Sequence, residues 1–416
     1  MVNPLERARR VTGLAVELYG EQARGAYDAY VRRDPFTRLR YRPGRDDPYP
    51  VYERIRAAGG PFVVTRMGNL ASVDHAVCRE VLRSRRFGVQ PEGEAAPDDG
   101  FDLSFLDRNP PDHTRLRRLA APAFSHRQVA GYRTTIEKTV DHLLEAAPAE
   151  FDLVTRLAAP LPIAVISELL GIPDADEEAF SRYGRVIGSA LGGVRSLRHV
   201  RSLVAANADL TRIFESLFEL RRRDPRDDLI SRLVDAEGDS LTAAEMVPLC
   251  TLLLIAGFET TVNLIGNAVN ALLDHTDQWA LLRDDPGLAA GAATETLRWD
   301  PPVQRTVRIS FDDTEIAGHR VRTGQFVHVL LGGANRDPAV FRDPERFDIR
   351  RRDAGEHLAF SSGIHHCLGR PLAELEATIA LERLAVAMPR LRRAGAVRRR
   401  NATLIRGPLS LPVAIR

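Results

Sequence analysis

The chain has 416 residues, of which 44% are hydrophobic, so it is long and apolar enough to bury a large core. Its formal net charge of +2 gives no reason to expect a nucleic-acid partner, and its three cysteines fit a reducing compartment. Length alone would allow two or three domains, but no linker rich in Gly, Pro and Ser separates them.

The N-terminal region shows no export or anchoring segment. An apolar run follows Arg9 and Arg10 but ends at Glu17, which is too short for the core of a signal peptide. We therefore expect a soluble, cytoplasmic protein without a membrane anchor. Residues 5–36 have helical character, and the sequence assigns them no function.

The spacing of apolar residues predicts several helices and short strands. Helices are expected over residues 47–58, 129–144, 161–170 and 200–220. Strand pairs are expected over residues 62–73 and 308–329, with turns at Met67-Gly68-Asn69, Asp312-Asp313 and Thr323-Gly324. A final hairpin is predicted over residues 403–415, around Pro408.

A long apolar run over residues 247–273 approaches the length of a membrane span. One glutamate and three asparagines interrupt it, and polar groups at that density favour a buried central helix. Within the run, the Thr260 hydroxyl can bond the carbonyl of Ala256, four residues back. Glu259 beside Thr260 could relay protons, although a purely structural polar seam would look the same.

Glu295 and Arg298 lie three residues apart, hence on one helix face, where they can pair. Taken alone, this pair is best interpreted as an exposed ion pair of small energetic value.

The segment around Cys367 is the most informative part of the sequence. Gly363 and Gly369 let the backbone turn sharply, and the residues after Cys367 read as a helix with Pro371 in its first turn. The helix dipole would favour a thiolate at that end, suited to binding a metal. Two alternatives remain: a buried structural cysteine, or a zinc site using His365, His366 and Cys367.

These residues resemble the haem-binding loop of the cytochrome P450 family. That loop reads Phe-x-x-Gly-x-His-x-Cys-x-Gly, with an alanine four residues after the last glycine. The matching positions in this chain are Phe360, Gly363, His365, Cys367, Gly369 and Ala373. Ser361 departs from the pattern, because many members have glycine there.

The resemblance implies one compact domain over residues 45–416, mostly α with small β-sheets. It implies haem b between the long central helix and the helix that follows Cys367. Residues 1–44 would be an extension packed on this domain. The cysteine thiolate would be the axial ligand of the iron.

The resemblance also assigns roles to other residues. Glu259 and Thr260 would deliver protons for dioxygen activation. Cofactor contacts are expected from Ala256, Phe360, Gly363, Gly369 and Ala373. The haem propionates would be bound by His113, Arg117, Arg308 and His365, although any one of these could be an ordinary exposed charge. A buried clamp would join Glu295 and Arg298 to Arg346, which lies in the matching Pro-Glu-Arg-Phe segment.

The resemblance implies a monooxygenase that acts on a mid-sized organic substrate with O2 and electrons from a separate ferredoxin. That partner could dock near Arg118, His366, Arg370 and residues 350–352, although arginine is abundant here. Pocket residues are predicted at Leu252, Ile255, Val303, Gln304 and Leu409 and in residues 87–105 and 181–199, where Gly188, Gly192 and Gly193 indicate a mobile lid. The alternatives are a peroxide-driven or oxidative-coupling enzyme, and a haem-binding sensor or carrier without turnover.

Overall fold

Helices make up most of the chain in the structure, a computed structural model that describes residues 4–93, 102–172, 177–189, 196–400 and 404–415. The helices are α1 Pro4–Tyr30, α2 Pro35–Arg38, α3 Tyr49–Ala57, α4 His75–Arg83, α5 Asp112–Ala120, α6 His126–Gly131, α7 Arg133–Glu145, α8 Pro160–Leu170, α9 Glu177–Gly188, α10 Leu197–Arg223, α11 Leu229–Asp235, α12 Ala243–Asp274, α13 Thr276–Asp284, α14 Ala289–Trp299, α15 Leu331–Ala334 and α16 Arg370–Ala387. The predicted helices over residues 47–58, 161–170 and 200–220 are thereby confirmed.

Twelve short strands form four small sheets in the described part of the chain. The strands are β1 Val63–Val64, β2 Leu70–Ser72, β3 Phe87–Gly88, β4 Glu150–Asp152, β5 Thr306–Ser310, β6 Thr314–Ile316, β7 His319–Val321, β8 Phe326–Val329, β9 Arg392–Arg393, β10 Arg398–Arg399, β11 Pro408–Ser410 and β12 Pro412–Ala414. The largest sheet has the order β1-β2-β8-β5-β3, in which β2 and β8 are parallel. The two predicted strand regions are confirmed.

The predicted C-terminal hairpin is wrong. Strand β11 pairs with β10, whereas β12 pairs with β4 and β9 in a different sheet. Only Leu411 separates the two strands, and the tightest common hairpin needs two residues in its loop. The buried Leu411 instead accepts a hydrogen bond from the Leu153 amide, so the chain continues extended from one sheet to the next.

Two long helical predictions are each divided in the structure. Helix α1 ends at Tyr30, and α2 starts only after Asp34, whose side chain accepts a hydrogen bond from the Thr37 amide (2.7 Å). Pro35 disfavours helical backbone at the residue before it, which explains the break. The helix predicted over residues 129–144 is likewise two helices, α6 and α7, which meet at Tyr132.

Within the N-terminal extension, helix α1 contacts residues 35–41. Helix α1 packs on α2, the Tyr41 hydroxyl donates to the Gln22 carbonyl (2.9 Å), and Arg38 Nε donates to the Ala29 carbonyl (3.2 Å).

Helix α12 is the centre of the main hydrophobic core, where α8, α9, α10, α13, α14 and α16 contact it. It starts with a capping box, since the Thr242 and Glu245 side chains each satisfy a backbone amide of the first turn. Within the described residues it is the one helix long and apolar enough to cross a membrane. The protein itself buries 83% of its most apolar stretch, so α12 is the predicted central core helix.

Candidate active site

The loop before α16 folds back on itself and holds Cys367 at the start of that helix. The Cys367 amide donates to the Phe360 carbonyl (2.9 Å), and the His366 amide donates to the Gly363 carbonyl (3.1 Å). Gly369 is the N-cap of α16, and Pro371 lies in its first turn, as predicted. The loop therefore presents the cysteine at the positive end of the helix dipole.

Two residues of this loop have left-handed backbone. Gly363 has a φ of +72°, and a Cβ on it would lie 2.3 Å from the Leu82 carbonyl oxygen, so no larger residue fits. Ser361 has a φ of +62°, which explains why glycine is usual at that position in the family the loop resembles. Gly369 has a φ of −82°, so the prediction that it permits a sharp turn is wrong for its backbone.

The sulfur of Cys367 is solvent-accessible, whereas Cys78 and Cys250 are buried. Surrounding protein atoms still raise the pKa of the Cys367 thiol through burial. Hydrogen bonds from the Gly369 and Arg370 amides and the positive charge of Arg117 oppose that rise in pKa. The exposure of Cys367 does not fit the alternative of a buried structural cysteine.

Four nitrogen-bearing side chains meet beside this loop: His113 and Arg117 on α5, Arg308 on β5, and His365 in the loop. The ring centroids of His113 and His365 lie 4.3 Å apart, and Arg117 Nη2 donates to the His366 carbonyl (2.7 Å). Arg308 is 4% exposed, and its Nη2 lies 3.5 Å from Ser361 Oγ. The structure thus brings the four predicted residues together.

Several nitrogens of this cluster are buried without a hydrogen-bond partner among the described residues: Nδ1 and Nε2 of His113 and Nε2 of His365. Burial, together with Arg308 and Arg117, lowers the pKa of His113 to about 4 and that of His365 to about 3. A buried polar atom without a hydrogen-bond partner costs folding free energy, and an anion bound here would provide the missing partner. The residues present therefore fit the two propionates of haem b.

The zinc alternative finds no support in the side-chain arrangement. Over the ranges that the structure describes, no group of three or more His, Cys, Asp or Glu side chains could hold a metal ion.

Thr260 and Glu259 on α12 contact different partners. Thr260 Oγ1 donates to the Ala256 carbonyl (2.6 Å), as predicted, and Ala256 is an exposed residue in an otherwise buried stretch. Glu259 is 2% exposed and its Oε1 lies 2.7 Å from Nη1 of Arg400. No sequence pattern identifies Arg400 as a partner of Glu259, because 140 residues lie between them.

The buried clamp exists, but the prediction of Arg346 as its third member is wrong. Glu295 and Arg298 are fully buried and form two hydrogen bonds of 2.7 Å. The second arginine is Arg351, whose Nε lies 3.1 Å from Glu295 Oε1. The Arg346 side chain is 66% exposed and lies 3.7 Å from Asp348, because the loop turns only its backbone carbonyl inward, towards Arg298 and Arg351.

The predicted docking surface for a redox partner includes the arginine-rich run over residues 350–352. The Arg351 side chain is only 8% exposed, which removes it from that surface.

The predicted pocket residues have different environments. Gln304 is buried, accepts from the Tyr52 hydroxyl (3.0 Å) and donates to the Pro301 carbonyl (2.8 Å), and its pocket role stays a prediction. Val303 is half-buried and Leu409 is 43% exposed. Leu252 and Ile255 belong to the main core, and their pocket role stays a prediction.

Parts of the predicted pocket and lid lie outside the described residues. These parts are Gly192, Gly193 and portions of the ranges 87–105 and 181–199.

Glu376 on α16 is a buried acid that the sequence analysis did not single out. It is 2% exposed, and its Oε2 has no hydrogen-bond partner among the described residues. Burial raises its pKa from 4.5 to about 8. Between these two values the folded protein keeps a proton that the unfolded chain loses, so stability falls as the pH rises.

We expect Glu376→Gln to remove this loss, which is about 1.4 kcal/mol for each unit of pKa shift. The thermal midpoint of Glu376→Gln should exceed that of the wild type by more at about pH 8 than at about pH 5. Glu374→Gln, which removes the partly exposed pair with Arg370, is the control on the same helix. An equal difference in midpoint at both pH values would contradict the assignment.

An exposed cysteine at a helix N-terminus, beside two arginines and two histidines that could bind two carboxylates, fits a site for haem bound through a thiolate. The cytochrome P450 family model matches residues 289–385. Cytochrome P450 107B1 of Saccharopolyspora erythraea is 40% identical over 390 residues, which cover 90% of this chain and 94% of that protein. The chain therefore belongs to the cytochrome P450 family, whose members are monooxygenases that bind haem b through a cysteine thiolate.

Solved structures agree with this family and confirm the predicted fold class. P450BioI, in complex with an acyl carrier protein ligated to hexadec-9Z-enoic acid, matches with a TM-score of 0.84 at 35% identity. The match covers 90% of this chain and all (100%) of that one. The bacillaene polyketide synthase cytochrome P450 PksS of Bacillus subtilis 168 matches with a TM-score of 0.81 at 32% identity, covering 91% and 99% of the two chains.

Proposed function

We propose that this protein inserts one oxygen atom of O2 into a mid-sized organic substrate of secondary metabolism, in the cytoplasm. The other oxygen atom leaves as water, which consumes two electrons and two protons. A separate ferredoxin and its reductase supply the electrons. The cluster of four nitrogen-bearing side chains beside the accessible Cys367 is the observation that carries this proposal.

In this proposal the Cys367 sulfur would bind the haem iron as a thiolate. When bound, haem with a thiolate ligand would supply the chemistry that cleaves the O–O bond. The Gly369 and Arg370 amides stabilise the negative charge on the sulfur. The four side chains beside the loop hold the propionates, while Ala256, Phe360, Gly363, Gly369 and Ala373 shape the space for the ring.

Thr260 is proposed to pass protons into the site, and the Glu259 carboxylate to take up each proton and hand it on to Thr260. The two side chains are adjacent in sequence, so they point in directions about 100° apart around the helix. Residues 45–416 would form the catalytic domain, and residues 1–44 an extension packed on it. The similarity to PksS, the cytochrome P450 of the bacillaene polyketide synthase, supports a secondary-metabolite substrate.

Thr260→Ala tests this assignment with a ferredoxin, its reductase and isotopically labelled dioxygen. The wild type should place labelled oxygen in its product. In Thr260→Ala, NAD(P)H consumption should continue, while product per NAD(P)H falls about tenfold and peroxide accumulates, because a proton donor is lost. Product analysis and peroxide assays on the same reaction measure both quantities.

Thr260→Ser keeps the hydroxyl and should stay coupled, and so should Thr261→Ala, which alters the next, buried residue of the helix. Full coupling in Thr260→Ala would remove threonine from the proton route. Product formation with peroxide but none with ferredoxin would favour the peroxide-driven alternative.

A further inference from the structure

The acid of the central helix is bound by an arginine from the C-terminal part of the chain. Nη1 of Arg400, just after β10, lies 2.7 Å from Glu259 Oε1, and its Nε donates to Asn263 Oδ1 (3.0 Å). Asn263 Nδ2 donates in turn to the Glu259 carbonyl (2.7 Å). The Arg400 and Glu259 side chains are 11% and 2% exposed, so the pair is shielded from water.

The surroundings leave this pair little freedom to move. A Cβ on Gly188 of α9 would lie 3.1 Å from Cγ of Glu259, which places that backbone directly against the acid. A Cβ on Gly407 would lie 2.0 Å from Asn263 Oδ1, and the Arg400 amide donates to the Gly407 carbonyl (3.1 Å). Arg400 and Gly407 are thus held against α12 close to the acid.

We propose that Arg400 is a positioning residue for oxygen activation, which holds the Glu259 carboxylate charged and oriented on α12. A guanidinium stays protonated in proteins, so Arg400 donates no proton itself and acts through Glu259. A buried carboxylate is stable in its charged form only with a paired charge and hydrogen bonds. The inference rests on the proposed proton-supplying role of Glu259.

Arg393 provides a matched comparison on the same helix. Its Nη1 lies 2.8 Å from Asp274 Oδ1, and its Nη2 donates to Asn270 Oδ1 (2.9 Å). It therefore repeats the arginine, asparagine and acid arrangement of Arg400, about three to four turns away from Glu259. An effect caused merely by loosening the C-terminal segment from α12 would appear with either arginine.

The experiment compares Arg400→Gln, Arg400→Lys and Arg393→Gln holoenzymes, with and without Glu259→Gln. In Arg400→Gln the kcat for coupled product formation should fall about tenfold, with KM unchanged. Glu259→Gln should lower that kcat further, by about a hundredfold. Arg400→Lys should recover part of the rate because it restores the charge. Arg393→Gln should match the wild type.

Two further measurements separate positioning from structure. Combining Arg400→Gln with Glu259→Gln should add no further loss, because the arginine acts only through that acid. The infrared difference spectrum of resting Arg400→Gln against the wild type should gain the carbonyl band of a protonated acid, and Glu259→Gln should remove that band. This readout needs no turnover.

Additive losses in the double variant, or equal losses in Arg393→Gln, would overturn the proposal, and so would an absent band. Wild-type coupling in Glu259→Gln would instead reject the proposed proton supply itself. The two failures are therefore distinguishable.

Discussion

Cys367→Ser is expected to abolish monooxygenase activity and the red-shifted Soret band of the reduced carbon monoxide complex. That band reports a thiolate bound to haem iron, and a serine hydroxyl does not provide an equivalent anion. Haem can still be retained, because the propionate cluster of His113, Arg117, Arg308 and His365 is unchanged. Absorption spectra of the reduced protein with carbon monoxide measure the effect directly.

Cys78→Ser is the matched control for this experiment. Cys78 Sγ donates to the Ser72 carbonyl (3.4 Å), a contact that a serine hydroxyl can also make, and the residue is fully buried. We expect the control to keep both the band and the activity. If Cys367→Ser kept the thiolate band, another residue would have to be the ligand, and the proposed site would be wrong.

Glu295→Gln is expected to lower the free energy of unfolding by about 3–5 kcal/mol, the cost of breaking a buried ion pair by removing one partner. Glu295 is fully buried and binds both Arg298 and Arg351, and its Oε1 also accepts from the Asp348 amide (3.0 Å). A neutral amide leaves two guanidinium groups without their shared counter-charge. Denaturant unfolding of the haem-loaded protein, with haem content as a second readout, measures the loss.

The two candidate arginines of the clamp provide the control. Arg351→Gln should destabilise the protein by more than about 1 kcal/mol, because its buried side chain donates to Glu295 and to three backbone carbonyls. Arg346→Gln should change stability by less than about 0.5 kcal/mol, because its side chain is exposed. The reverse order would restore the assignment made from the sequence.

The polar residues of α12 fit both interpretations of their pattern, a structural polar seam and a proton relay. Asn263 binds Arg400, Asn267 donates to the carbonyls of Asp300 and Arg406, and Asn270 binds Arg393. These asparagines are a structural seam that fixes the C-terminal segment. The same seam places Arg400 on Glu259, so structure and proposed chemistry share these contacts.

The sequence by itself determined the features that depend on neighbouring residues. The glycine at position 363, the helix after Cys367 and the Thr260 bond to Ala256 all follow from local backbone chemistry within a few residues. The mostly helical fold with small sheets follows from apolar periodicity and from the loop pattern together.

Only the tertiary structure decided which of several chemically equal side chains is buried and which partner it meets. Nearly all of the 58 basic residues are arginines, so no local pattern separates Arg351 from Arg346 or identifies Arg400. Gln304 and the strands around Leu411 were likewise assigned by contacts with distant parts of the chain. Burial and pairing arise when segments far apart in sequence pack together, and a short stretch of sequence carries no information about that packing.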